Sequence, residues 1–475
     1  MTEPASSRLP GRVTGFFSNR AVVHSAGAAA SQFIAQGIRF GTNVVLASLL
    51  SPAIFGLLAI VTAVRTGIEL LSDIGINQSI IVSRNGERQG FVETASALQI
   101  LRGLVLAAIG AAAAYPLAAL YGENELGLLL MVGSIGSIIS GLGRPGPALL
   151  QRNREIGWLI VQRVGVAATA SASTLAVTSM MPSALGVVIG GLVGGVCAVC
   201  ISFLVKPLPG YIPRLRKRYR SQIVHFGKWI FVATAIYFFA QNFDRLYLPA
   251  MIPLAVFGIY NLSRSIADVV VQTVAQINGM VVLPAIARSA DTLDHKRAKL
   301  GGTRFAGLSL VALGLGGLIA LADLIILTIF DDRYALGATI LPVLLAGSWF
   351  TIHASTNESV LMGLGRTKTI AAGNMVRLAS AVIGLPLAFM LGGLAAGLVA
   401  IAFADILRYV WLMGAARKVK MSFARQDAAL LLIMLGAAVL VREMLVLMGL
   451  VDGFVSSVQL AGFAELRQTA PPTGL

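Results

Sequence analysis

Long apolar runs dominate this chain, and polar residues gather in the short stretches between them. Thirteen apolar segments follow one another, each longer than the ~18 residues that a membrane-crossing helix needs. Backbone groups in lipid must form hydrogen bonds within their own segment, so the runs favour helices over the strands of a membrane barrel. The segments span 22–50, 54–82, 91–114, 126–147, 156–181, 184–205, 223–248, 252–286, 305–330, 338–361, 370–391, 394–415 and 428–448. The pattern predicts an all-α integral membrane protein with about 12–14 transmembrane helices.

The positions of the charged residues predict an orientation. Lysine and arginine cluster in every second loop, and Arg333 is the one basic residue in the alternate loops through the twelfth segment. Basic loops stay in the cytoplasm, so we expect a multi-pass protein with a cytoplasmic N-terminus. The net charge of +16 is typical of loops beside an anionic membrane face and does not indicate a nucleic-acid partner.

A short sequence repeat divides the chain into halves. Residues 53–56 read Ala-Ile-Phe-Gly and residues 255–258 read Ala-Val-Phe-Gly, an offset of 202 residues or six segments. An even number of crossings gives both halves the same orientation, so we expect two parallel six-helix lobes around a central cavity. The predicted regions are a cytoplasmic N-terminal segment 1–20, a lobe 21–205, a basic interlobe linker 206–222, a second lobe 223–415, and a region 416–475 with a basic loop, an additional helix and a tail.

Composition and motifs argue against an enzyme. The chain is 56% hydrophobic and 12% charged, unlike soluble domains, and its loops leave no room for a catalytic domain. Cys197 and Cys200 share one apolar run, and the glycine-rich stretch 141–146 ends a helix, so neither a metal site nor a nucleotide cofactor is predicted. Glycines 186, 190 and 194 form a small-residue stripe that predicts close packing of the sixth segment. A transporter without catalytic residues or cofactors is favoured.

Charged side chains at membrane depth are the candidate functional residues. Each costs roughly 2.5–3.5 kcal/mol at a helix centre, so each needs either a polar partner or a hydrated cavity. Arginine suits phosphate because its planar guanidinium forms paired hydrogen bonds and stays charged. The candidates for binding an anionic substrate are Arg39, Arg65, Arg102, Arg264 and Arg377. Arg39 and Arg102 have no acidic residue within four positions, which favours them for this role.

Acidic residues at the same depth are candidates for coupling transport to an ion. These are Glu69, Asp73, Asp268 and Glu358. Spacings of three or four residues also predict local ion pairs of Arg65 with Glu69, Arg264 with Asp268, and Asp405 with Arg408. Such pairs have an equally plausible structural role, which is to fix helix register or to ease insertion into the membrane.

His353 shares a segment with Glu358, which allows either a proton relay or a simple core contact. The core contact is favoured.

Six short stretches carry a resemblance to a known family. They are residues 50–59, 148–154, 244–246, 257–262, 283–288 and 364–367. In sequence and in topological position they resemble the polysaccharide transporter family, the Wzx-type flippases of the multidrug/oligosaccharidyl-lipid/polysaccharide exporter superfamily.

The resemblance implies a function and a location. It implies alternating access, and translocation of a polyprenyl-pyrophosphate-linked oligosaccharide from the cytoplasmic to the periplasmic leaflet of a bacterial inner membrane, for surface or exopolysaccharide synthesis. Membrane lipids, a polysaccharide polymerase and glycosyltransferases are the implied partners. The alternatives are a drug/cation antiporter or a peptidoglycan lipid-precursor flippase of the same superfamily, and a membrane scaffold without transport activity.

Overall fold

The apolar runs form long helices, joined by short helices and turns. The computed structural model describes residues 19–72, 75–153, 155–204, 213–287, 292–449, 451, 453 and 466. The helices are α1 (Asn19–Leu49), α2 (Pro52–Leu71), α3 (Ile76–Val82), α4 (Gln89–Tyr121), α5 (Asn124–Leu142), α6 (Gly146–Arg152), α7 (Ile156–Met180), α8 (Ala184–Leu204), α9 (Lys217–Tyr247), α10 (Leu254–Ala287), α11 (Leu293–Ala320), α12 (Ala322–Ile329), α13 (Gly337–Gly363), α14 (Thr367–Lys418) and α15 (Ala424–Leu447).

Ten of the thirteen predicted segments each lie on one long helix, and segments 54–82, 126–147 and 305–330 each continue into the short helix α3, α6 or α12. The all-α membrane fold is confirmed. Within the described ranges, ten helices are long and apolar enough to cross a membrane. The long helices α1 and α9 are not among the ten because polar side chains such as Gln32, Gln36 and Asn242 interrupt them. The helix α9 also begins at Lys217, inside the predicted linker, because basic residues extend a helix beyond its apolar part.

The helix α14 contains two predicted segments. Its 52 residues would span about 78 Å as one straight helix, more than twice the apolar thickness of a bilayer. The backbone leaves the helical conformation at Gly392 and Gly393, and Gly393 has a φ of 60° that glycine adopts without a steric penalty. The kink therefore separates two crossings where the sequence predicts a break.

The repeated tetrapeptides meet each other. The helices α2 and α10 cross so closely that a Cβ atom on Gly56 would overlap the carbonyl oxygen of Leu254, and one on Gly258 would overlap that of Pro52. Adding the repeat offset to Pro52 and Gly56 gives Leu254 and Gly258, so the two contacts are equivalent. The repeat thus lies on a pseudo-twofold axis between two parallel halves.

Loops predicted to share a side of the membrane contact one another. At the end with the basic loops, Arg152 donates hydrogen bonds to the carbonyls of Ile80, Ile81 and Ser83 at 2.7–2.9 Å. At the opposite end, the Tyr334 hydroxyl donates to the carbonyl of Leu50 at 3.2 Å. The alternation of helix directions inferred from charge agrees with these contacts.

Candidate substrate path and charge networks

The first half of the chain holds a half-exposed arginine between three helices. Arg65 on α2 forms the predicted pair with Glu69, with 2.9 Å between Nε and Oε1. Its side chain is 44% exposed and lines a small depression between α2, α4 and α5, together with Ser134 and Ser137. The depression therefore contains a cation that its partner neutralises only in part.

Arg102 closes the end of α2. Its Nε donates to the Ser72 hydroxyl at 2.9 Å, and its Nη2 donates to the Glu69 carbonyl at 2.5 Å. The last carbonyls of a helix have no partner within the helix, and a cation there also interacts favourably with the helix dipole. Arg102 thus has a structural contact that its sequence neighbours did not indicate. The neighbouring Asp73 lies outside the described residues.

Two other arginines have no such contact. Arg39 is exposed on α1, and Arg163 is half-buried on α7. Neither forms a hydrogen bond or ion pair with any residue that the structure describes. Arg163 was not among the candidates, although a charge at membrane depth was the signal that identified the others. Together with Arg102 they are three arginines at membrane depth in the first half of the chain without a carboxylate partner in the described ranges.

The second half holds a network in which arginines and carboxylates balance. Arg245 on α9 binds Asp268 on α10 at 2.7 Å, and Arg264 lies 3.4 Å from the same carboxylate. Arg264 also lies 3.9 Å from Asp244, which accepts a hydrogen bond from the Tyr260 hydroxyl. The predicted pair of Arg264 and Asp268 is therefore one contact in a larger cluster.

The predicted pair of Asp405 and Arg408 was wrong. Asp405 accepts from Nε of Arg377 at 2.5 Å, whereas Arg408 binds Glu358 at 2.6 Å and the Asn374 side chain at 2.9 Å. Buried charges need several well-aligned partners. Here the part of α14 before the kink and the helix α13 supply these partners, and the next turn of the same helical segment does not. Arg377 is consequently engaged with a carboxylate and is 4% exposed.

Exposure separates the acidic residues of this network. The side chains of Asp268 and Glu358 are 25% and 27% exposed, whereas those of Asp244 and Asp405 are 6% and 4% exposed. Asp268 and Glu358 are therefore the more exposed carboxylates of this network. Both are among the candidates for ion coupling, which stays a prediction.

His353 does not lie beside Glu358. Its Nδ1 is 3.1 Å from Oδ1 of Asp427, a residue at the start of α15 that also binds Arg304 and accepts from the Tyr409 hydroxyl at 2.8 Å. No sequence pattern indicated this cluster, because 123 residues separate Arg304 from Asp427. Of the two roles considered for His353, this buried contact is the core contact and not a relay with Glu358. It attaches α15 to the second lobe.

In the described part of the chain, no group of three or more histidine, cysteine, aspartate or glutamate side chains is placed to hold a metal ion.

Solved structures with the same fold are membrane transporters. No curated protein matches the sequence. The structure is similar to that titled lipid II flippase MurJ in an inward closed conformation, with a TM-score of 0.72 and 15% identity over 93% of this chain and 96% of that one. It is also similar to an inward-facing multidrug resistance MATE family transporter of the MOP superfamily, with a TM-score of 0.65 and 12% identity over 84% and 98% of the two chains. A MOP superfamily transporter from Pyrococcus furiosus gives a TM-score of 0.58 and 12% identity over 86% and 96%.

A family model identifies the sequence itself. The model described as polysaccharide biosynthesis protein matches residues 45–337, which is more than half of the chain. The match includes the repeat and most of both lobes, and it agrees with the fold of the MOP superfamily. The resemblance seen in the sequence is thus confirmed, and the chain belongs to this family of polysaccharide biosynthesis proteins.

Proposed function

We propose that this protein is a flippase that moves a polyprenyl-pyrophosphate-linked oligosaccharide from the cytoplasmic to the periplasmic leaflet of a bacterial inner membrane. The family match carries the proposal, because it links a multi-pass fold of the MOP superfamily to polysaccharide biosynthesis. Glycosyltransferases would supply the substrate and a polymerase would consume it. The protein would act as a transporter and not as an enzyme.

The arginines of the first lobe are the proposed contacts for the pyrophosphate. Arg39 and Arg102 have no carboxylate partner in the described ranges, and Arg65 is only partly neutralised by Glu69. Arg264 and Arg377 already bind carboxylates, so an anion would reach them only by displacing Asp268 or Asp405. We therefore place the first anion contact in the first lobe.

Asp268 and Glu358 are the proposed residues for ion coupling. Each is partly exposed and each holds an arginine, Arg245 or Arg408 respectively. Protonation of either carboxylate would weaken its ion pair and free an arginine at membrane depth. Glu69 likewise forms an ion pair with Arg65 that protonation would weaken. Asp73 is proposed for ion coupling from its spacing in the sequence alone.

A deletion strain tests the proposed function. Lipid extracts and surface polysaccharide are measured by mass spectrometry in the strain with and without the gene. We expect lipid-linked repeat units to accumulate and surface polymer to be lost, with both restored by the wild-type gene. Normal polysaccharide without accumulated lipid would contradict the proposal, and drug resistance and peptidoglycan precursor flipping would be assayed next.

Transport by the purified protein gives a second, direct test. Proteoliposomes carrying a fluorescent polyprenyl-pyrophosphate oligosaccharide are assayed for movement between leaflets under proton and sodium gradients. Movement above that of protein-free liposomes supports the proposal, and no movement under any gradient contradicts it.

A further inference from the structure

A small polar slot lies between the two lobes, apart from the arginine clusters. It is a narrow depression, open to the surface, between α1 and α10. Its walls, which we call the amide slot, are Gln32, Phe33 and Gln36 on α1 and Gln272, Thr273 and Gln276 on α10. Four of the six lining side chains are primary amides, and none carries a charge.

Helical spacing aligns these amides on two facing stripes. Gln32 and Gln36 are four residues apart, as are Gln272 and Gln276, so each pair lies on one face of its helix. On α10 the same spacing continues back to Asp268 and Arg264. One face of α10 therefore runs from the charge network of the second lobe into the amide slot.

The amides of the slot have no hydrogen-bond partner in the part of the chain that the structure describes. None of the four glutamine side chains, nor Thr273, forms a hydrogen bond with a residue that the structure describes. Gln272 is exposed and the others are half-buried, in segments that the sequence pattern predicts to cross the membrane. An amide facing hydrocarbon without a hydrogen bond is strongly unfavourable. Water or a polar ligand would supply the hydrogen bonds that these amides need.

The chemistry of the slot selects the kind of ligand. A primary amide both donates and accepts hydrogen bonds, as a sugar hydroxyl does, whereas a phosphate oxygen only accepts and is bound best by arginine. A cationic ligand would need a carboxylate, and none lines the slot. We infer that the amide slot binds neutral sugar hydroxyls of the lipid-linked oligosaccharide while arginines elsewhere bind its pyrophosphate. The inference rests on the proposed function and adds the site for the sugar.

Cysteine labelling tests whether the slot is hydrated, independently of the substrate. Single cysteines replace Gln36 or Gln276 in a background with Cys197→Ser and Cys200→Ser. Control cysteines replace Ile34 and Ile277, which neighbour the slot in sequence and are 50% and 42% exposed on the apolar surface. A membrane-impermeant maleimide is applied to spheroplasts and to inverted vesicles. We expect labelling at 36 and 276 and little at 34 and 277, and equal labelling at all four positions would overturn the inference.

Binding of two lipids to the purified protein tests the sugar assignment. The probes are undecaprenyl pyrophosphate and the same lipid carrying a neutral tetrasaccharide. Q36M with Q276M removes an amide from each lobe at nearly constant side-chain size. Since each lost hydrogen bond weakens binding several-fold, we expect about a tenfold loss of affinity for the glycosylated lipid. Affinity for the bare lipid should stay within about twofold, because it makes no sugar contacts.

Matched variants decide between the outcomes. Q99M removes a half-buried amide on α4 that already donates to the Ser140 carbonyl, so it should not discriminate between the two lipids. If the double variant does not fold, Q272M at the most exposed position replaces it. An equal loss for both lipids, or no loss for either, would overturn the sugar assignment. Failure of the wild-type protein to bind either lipid would instead overturn the proposed function, and the sugar assignment with it.

Discussion

Arginines that look alike in the sequence differ in what they contact. Arg39 has no partner in the described ranges, Arg102 caps α2, and Arg377 is buried against Asp405. Of these three, Arg39 can bind a ligand without breaking a contact that stabilises the fold. The number and burial of existing contacts therefore separate a binding role from a structural role.

Arg39→Ala and Arg102→Ala should differ in their effect on stability. Loss of Arg39 should lower flipping about tenfold without changing the unfolding temperature, because only a substrate contact is removed. Loss of Arg102 should lower both, since the end of α2 loses two charged hydrogen bonds worth roughly 1.5–3 kcal/mol each. Thermal unfolding and flipping are measured together, with R333A in a loop as the control. Equal stability of the two variants would contradict this distinction.

Arg304 and Asp427 should depend strongly on each other. Arg304→Met leaves the buried carboxylate of Asp427 without its arginine, and it should lower the free energy of unfolding by about 3–5 kcal/mol. Adding Asp427→Leu should restore much of that stability, because the unpaired charge is removed as well. The free energy of unfolding in detergent is compared for the two single variants and the double variant. The exposed pair of Arg333 and Asp331 is the control, where removal should leave the free energy of unfolding nearly unchanged because solvent screens the pair. Additive losses at the buried pair would rule out the coupling.

At the scale of helices, glycine determines how closely two elements approach. The predicted stripe on α8 does pack closely, because Cβ atoms on Gly190 and Gly194 would lie 2.7 Å from the Cα atoms of Thr174 and Ala170 on α7. The crossing of α2 and α10 is closer still, and it joins the two lobes. In alternating access the lobes must separate at one end, so a contact of this kind sets the balance between open and closed states.

Gly56→Ala and Gly258→Ala should open this crossing. The added methyl overlaps backbone that has no alternative position, so the closed state is penalised while the lobes themselves stay folded. We expect flipping to fall and a cysteine at Leu50 to become more accessible to impermeant maleimide. Gly279→Ala on α10 meets nothing within 4 Å and is the matched control. Unchanged accessibility in both variants would show that the crossing does not hold this end closed.

At the scale of the whole molecule, charge sets orientation. The basic loops lie at one end of the helices and make contacts there, and the acidic loop residues lie at the other end. Because basic loops are retained in the cytoplasm, the end with Arg84 and Arg366 should face inward. The protein should therefore enter the inner membrane with its N-terminus inside.

Topology mapping checks this orientation. Single cysteines at Arg84 and Arg366 should react with impermeant reagent only in inverted vesicles, and those at Glu123 and Ser183 only in intact spheroplasts. Labelling in the reverse pattern would place the N-terminus in the periplasm and reverse the proposed direction of transport. Mixed labelling of neighbouring loops would instead indicate a wrong number of crossings.

The sequence by itself determined the helices, their alternating directions and the twofold repeat. These depend on local properties, namely the length of apolar runs, the distribution of basic loops and the positions of glycine. Even the break in α14 lies between the two predicted apolar segments that end at 391 and begin at 394. The local pair of Arg65 with Glu69 was likewise predictable, because helical spacing alone brings the two side chains together.

Only the tertiary structure decided which side chains meet between helices. Asp405 binds Arg377 and Arg408 binds Glu358, although Asp405 and Arg408 are only three residues apart. Arg304 binds Asp427, which lies more than a hundred residues later in the chain. The amide slot was missed for a related reason, since its glutamines are uncharged and unremarkable until α1 and α10 face each other. The partners of a buried polar group depend on packing between distant segments, and spacing along one helix cannot specify that packing.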